Sequence, residues 1–147
     1  MMKDVVISMR SIQGYDLEQE DTVSFVTDGH FFRDGETYCF TYLETEVTGL
    51  EGTRTSVFVR PDEVVVDRDG NIKSRMIFRE GMKNSFQYAT PYGMATLNIS
   101  TKKISRCFDD KGGSLEVDYV VDMEHAMVMR NRLQLNIKEQ SEASYYG

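Results

Sequence analysis

Apolar side chains recur at every second position through a head-to-tail series of short segments between Val5 and Lys138, and turn-forming residues separate one segment from the next. No window carries a convincing three-to-four spacing of an amphipathic helix. Period-two alternation needs a sheet face, and short turns make consecutive strands neighbours. The pattern therefore predicts an all-β chain, a single antiparallel meander closed into an up-and-down barrel of about eight to ten strands.

The first strand is expected over residues 4–13, ended by Gly14, and the second over 23–33. Asp34-Gly35 tolerates the positive φ values of a tight hairpin and joins the second strand to a third at 36–43. Residues 44–52, acidic and carrying Gly49 and Gly52, are the longest expected loop, followed by a β-branched strand at 53–59. Arg60-Pro61-Asp62 turns the chain into a short strand at 63–67, and Asp69-Gly70 is read as a second tight hairpin into 72–79. Gly81 precedes a strand at 84–90. Pro91-Tyr92-Gly93 turns into 94–99, and 102–108 follows after a break or bulge. Gly112-Gly113 leads into a closing hairpin with arms 114–123 and 127–138. Residues 1–139 read as one barrel domain and residues 140–147 as a flexible tail.

The register of the closing hairpin follows from parity. Leu115, Val117, Tyr119, Val121 and Met123 share one face of the first arm, and Leu133, Leu135 and Ile137 are the apolar set of the second. All are odd-numbered, so the loop must hold an odd number of residues for both sets to face the core. A three-residue loop, Glu124-His125-Ala126, sets Asp118 opposite Arg132; a five-residue loop sets Asp122 opposite Arg130. The shorter loop is preferred.

Composition narrows the classes of function. A chain of 147 residues suffices for one core. Its 24 acidic against 17 basic side chains give a net charge of −7, which repels a phosphate backbone, so nucleic acid is not expected as a partner. The start Met1-Met2-Lys3-Asp4 leads straight into a strand with no signal-peptide pattern, and no apolar run is long enough to span a bilayer. Cys39 and Cys107 lie far apart without metal or disulfide spacing. Cytoplasmic location, reduced thiols, no membrane association and no cofactor are the expectations.

The block Tyr88-Ala89-Thr90-Pro91-Tyr92-Gly93, preceded by Met76-Ile77-Phe78-Arg79-Glu80-Gly81 and followed by Thr101-Lys102-Lys103-Ile104, resembles the YwiB-like family of small uncharacterised bacterial proteins. Tyr42-Leu43-Glu44 and Arg130-Asn131-Arg132-Leu133 fall where that pattern places them, so the resemblance covers nearly the whole chain. It implies a calycin-like barrel, the architecture of lipocalins and fatty-acid-binding proteins, in bacteria of the low-GC Gram-positive kind. It implies no activity and no site residue, and the likeness to ligand carriers is one of fold alone.

Candidate chemistry lies in the barrel interior. Tyr38, Phe40 and Tyr42 share one strand face, Met76 and Phe78 another, Phe86 and Tyr88 a third, with Tyr119 on the closing hairpin. Burying the larger surface turns the aromatic face of the third strand inward and leaves Leu43 outside, to be covered by the 44–52 loop. A barrel of this size is either filled by such side chains or holds one small ligand. Filling is the simpler outcome; a binding site calls for a cavity of about 300 Å³ with a few convergent polar groups. Thr-Pro-Tyr-Gly reads first as a barrel corner and secondly as a rim that places Tyr88 and Tyr92 over the mouth. Lys73, Arg75 and Arg79, with Lys102, Lys103 and Arg106, read as solvated faces rather than an anion-binding patch. His30 and His125 lack metal-ligand spacing, and neither a nucleophile elbow nor a phosphate loop is present.

The leading expectation is a protein that binds a small, partly apolar molecule in the barrel or at its mouth through Tyr38, Phe40, Tyr42, Phe78, Tyr88, Tyr92 and Tyr119. The alternatives are an interaction module that uses its outer surface around a packed barrel, and an enzyme with a novel site in the cavity. The enzyme reading is disfavoured because no catalytic constellation is visible.

Overall fold

Each segment of period-two alternation becomes a strand of one closed sheet. The computed structural model describes residues 2–14, 20–46, 48–123 and 127–140. Its ten strands are β1 (Lys3–Gly14), β2 (Glu20–Asp34), β3 (Thr37–Leu43), β4 (Thr53–Val59), β5 (Val64–Gly70), β6 (Lys73–Phe78), β7 (Lys83–Thr90), β8 (Gly93–Asp109), β9 (Gly112–Met123) and β10 (Met127–Glu139). Every strand pairs antiparallel with its sequence neighbours, and β1 closes on β10 from Val5 opposite Glu139 to Gly14 opposite Arg130. The ring of strands is closed, and its thinnest seam is between β6 and β7, which pair at Lys73–Ala89 and Ser74–Tyr88.

The inward positions carry the core: Val5 and Ile7 of β1, Phe31, Phe40, Val57, Val64, Val66, Phe78, Ile99, Leu115, Val117 and Ile137 are all buried. Thr101 and Lys103 flank a register shift in β8. That bulge switches the inward parity from Ile99 to Ile104 and Phe108, so the two expected segments form one long bent strand. In the closing hairpin Met123 faces Met127 and Asp118 faces Arg132, the register of the three-residue loop. Residues 124–126 themselves lie outside the described residues, as does the expected tail from 141 onward. Gln140 still belongs to the barrel: its amide donates to Asp4 O at 3.0 Å.

Two glycine turns fall elsewhere than the sequence suggests. Arg68 pairs with Ser74, which centres the β5–β6 turn on Asn71 and Ile72 rather than on Asp69-Gly70. Gly70, at φ +148°, instead lets two backbones touch, because a Cβ there would collide with the carbonyl of Gly52. Gly112 has the same role. Its φ is +132°, a Cβ would strike the carbonyl of Ile137, and the β8–β9 turn is Asp110-Lys111. A glycine beside an aspartate signals a turn, but close strand crossing demands the same residue.

The connections divide between two ends. Turns 35–36, 60–63, 79–82 and 110–111 lie at the end where the first and last strands meet, here called the terminal end. Loop 44–52 and turns 71–72 and 91–92 lie at the other, the loop end. Leu43, expected under that loop, is 58% exposed. The loop folds inward instead, bringing Thr48 and Leu50 over the barrel interior.

Candidate functional site

What fills a barrel depends on side-chain size at each level along its axis. At the terminal end the filling is aromatic. Phe31 stacks on Tyr38 with centroids 6.1 Å apart, Tyr38 on Phe108 at 5.4 Å, and Phe40 on Phe108 at 6.5 Å. Toward the loop end the next inward residue of β3, Tyr42, has one ring neighbour among the described residues, Phe25, at 5.9 Å with the rings tilted by 52°. Beyond it lies a cavity of about 210 Å³, smaller than the sequence argument called for. Met9, Val57, Val66, Leu133 and Leu135 give it apolar walls, and Phe78 meets Tyr119 edge-on at 4.8 Å.

The polar lining comes from neighbouring strands. On β5, Val64, Val66 and Arg68 are in phase, so the alternation that buries two valines carries a guanidinium into the barrel. Glu44 follows Tyr42 by two positions; its amide donates to Thr53 O at 2.8 Å, and its side chain is buried at 6% exposure. Thr55 and Thr48 both donate to its carboxylate, each at 2.7 Å. The Tyr42 hydroxyl donates to Met9 Sδ at 3.8 Å.

Burial, reinforced by the charge of Glu44, pushes the Tyr42 phenol well above its ordinary pKa, against the opposing pull of Arg68. Burial raises Tyr119 as well, again opposed by Arg68. Both phenols are therefore neutral hydrogen-bonding groups at neutral pH. Such a lining can hold and orient a molecule. His30 sits apart on the exposed surface, 3.1 Å from Asp4, and the described residues contain no cluster of His, Cys, Asp and Glu that could hold a metal ion.

Of the seven candidates, the structure brings Tyr42, Phe78 and Tyr119 together at the cavity wall. Tyr38 and Phe40 turn inward on the same face but belong to the aromatic plug. Tyr88 packs half-buried against the core outside the cavity lining, and Tyr92 stands 100% exposed in the β7–β8 turn. Among the basic residues, Arg79 is bound to Glu63 at 2.6 Å and Arg106 to the carbonyl of Pro61. Sequence reasoning missed Arg68 and Glu44. The signal for Arg68 was its phase with Val64 and Val66, hidden by ending that strand at Asp67.

A closed ten-stranded antiparallel barrel, plugged with aromatics at one end and hollow at the other, is the class of protein that fold and site define. The chain belongs to the DUF1934 family, a domain of unknown function, whose model matches residues 7–135. It is 27% identical over 115 residues to the uncharacterized β-barrel protein YwiB of Bacillus subtilis (strain 168), covering 78% of this chain and 79% of that protein. The crystal structure of the ywiB protein from Bacillus subtilis superimposes with a TM-score of 0.85 at 21% identity, over 95% of this chain and 94% of that one. That likeness establishes the fold.

Proposed function

We propose that this barrel binds a small, partly apolar molecule in the hollow at its loop end. The observation that carries this reading is the pairing of an apolar cavity of about 210 Å³ with a few polar groups, Tyr42, Glu44, Arg68 and Tyr119, gathered on its wall. A dry apolar cavity of about 150 Å³ is already enough to admit benzene. Room for one ring or a medium-length chain is thus supported, and room for a large cofactor is not. The reading places the protein in the cytoplasm, in keeping with two free thiols, and assigns it neither nucleic acid nor membrane as partner, in keeping with its acidic balance.

The test is a thermal-shift screen with medium-chain fatty acids, their alcohols and small aromatic metabolites, repeated on Leu133→Trp, which fills the hollow. A ligand at a hundredfold excess over its Kd should stabilise the native barrel by about 2.7 kcal/mol. The shift should vanish in Leu133→Trp. A shift that survives the filled cavity would place binding elsewhere. The absence of any shift would favour an interaction module instead, a reading supported by Leu43, Tyr92, Met94, Met123 and Val128, large exposed apolar side chains that all belong to the loop end.

A further inference from the structure

Inside the barrel, the guanidinium of Arg68 has no anionic partner among the described residues. Among the described residues its buried Nε finds no hydrogen-bond acceptor, and its Nη1 donates to Met76 Sδ at 3.2 Å. Thioether sulfur is a weak acceptor that carries no charge. Arg68 takes part in none of the ion pairs formed among the described residues. Glu44 shares the cavity, but its oxygens accept from Thr48 and Thr55 and it forms no ion pair with Arg68. A second unpartnered group stands next to the first: Ser74, opposite Arg68 across β5 and β6, has a buried hydroxyl with no partner.

Lysine can escape burial by losing its proton, whereas arginine keeps its charge; its planar fork matches a carboxylate or a phosphate, and a single unpaired guanidinium balances the one charge of the former. Unpaired buried donors are costly, so a protein that keeps two of them on facing strand positions, one belonging to a residue of the cavity wall, has a reason outside its own chain. We propose that the ligand of this hollow is a small monocarboxylate with an apolar body, its acid group bound by the guanidinium of Arg68, the cationic side chain on the cavity wall. The inference rests on the intra-barrel reading above and names the ligand class for that same cavity. The apolar body extends along Met9, Val66, Phe78 and Leu133, and the cavity limits it to about the size of octanoate or 3-phenylpropionate.

Matched acids and alcohols test this: octanoate against 1-octanol and 3-phenylpropionate against 3-phenyl-1-propanol, by isothermal titration of the full chain at neutral pH. In the wild type at least one acid should bind tenfold or more tightly than its alcohol. Arg68→Met should bring that ratio to about one while leaving alcohol binding intact, and Arg68→Lys should keep part of it. Without ligand, Arg68→Met should melt no lower than the wild type, because the substitution removes an unpaired buried charge. Equal affinity within both pairs in the wild type would overturn the carboxylate assignment and leave the cavity reading standing. Failure of all four compounds to bind would overturn both. A large loss of melting temperature in Arg68→Met would show that Arg68 serves the fold, and would also overturn the assignment; the wild-type ratio decides without any variant.

Discussion

The two ends of this barrel are built from the same strands and differ in what meets across the axis. Strand β3 shows it most directly. Tyr38 and Phe40 find Phe31 and Phe108 and form a stacked plug, while Tyr42, one pleat further, faces a cavity rimmed by Glu44 and Arg68. Acids are handled differently as well. At the terminal end Glu63 is gripped by Arg79 Nη2 at 2.6 Å and Arg60 Nη1 at 3.0 Å. At the loop end Glu44 is held by threonine hydroxyls, and the nearby arginine is left without an acid. The buried acid of one end is matched by two arginines, the arginine of the other has no acid, and it is that second end whose interior has room for something else.

The largest test of that contrast removes one large side chain from each end. Phe40→Ala opens a void in a fully packed region and should cost about 3–5 kcal/mol. Leu133→Ala enlarges a space that already exists, around a side chain only partly buried, and should cost less than about 2 kcal/mol. Urea unfolding measures both, with equal m-values confirming a common unfolded state. Equal losses would mean that the loop end is as tightly packed as the other, and the comparison would fail.

A middle-sized effect belongs to the polar wall. Glu44→Ala leaves the hydroxyls of Thr48 and Thr55 without their acceptor, Thr55 inside the barrel, and should cost about 1–3 kcal/mol. Because Thr48 ties loop 44–52 to Glu44, amide exchange at Thr48 and Gly49 should accelerate in this variant more than at Phe40 or Val57. Uniform acceleration would mean that Glu44 supports the whole fold rather than the mouth of the hollow.

The contrast also explains which parts were legible in the sequence. In-or-out alternation is a local property, so the strands and an odd-numbered closing loop could be read from parity, and the preference for a short loop then selected Asp118 opposite Arg132, as observed. Which inward rings meet is not local. Phe108 joins Tyr38 and Phe40 only because ten strands close and a bulge turns it inward, so the line between plug and hollow could not be drawn from residue types. Arg68 was lost to a narrower error: Asp69-Gly70 looks like a hairpin turn, the strand was ended before it, and the charged inward residue was left in the turn. Gly70 is needed for close approach to Gly52, and β5 runs on to include it.

A smaller, pH-dependent effect belongs to the terminal end. Hydrogen bonds from Arg79, with Arg60 second among the arginines, hold Glu63 below the ordinary carboxylate range. A carboxylate whose pKa is depressed by folding adds stability above the unfolded value, about 4.3, and loses it as pH falls through the folded value. Glu63→Gln should therefore lower the melting temperature at pH 7 and flatten its fall below about pH 4.5, so that variant and wild type converge in acid. An unchanged acid limb would show that the terminal end does not draw on this ion pair.

The least perturbing test uses the two thiols, which report on the ends without altering them. Cys39 lies between Tyr38 and Phe40 on the opposite face of β3, buried against cross-strand neighbours Phe32 and Phe58, and burial pushes its thiol up to about 11. Cys107 is exposed on β8. At pH 8 the thiolate is the reactive species, so an aromatic disulfide reagent should label one thiol per chain at once and the second only as fast as β3 opens. Phe40→Ala, which hollows the face behind Cys39, should speed the slow phase, and Leu133→Ala should speed it less. Two fast thiols in the native wild type would show that β3 is already loose behind the plug, and the contrast between a filled and a hollow end would no longer hold.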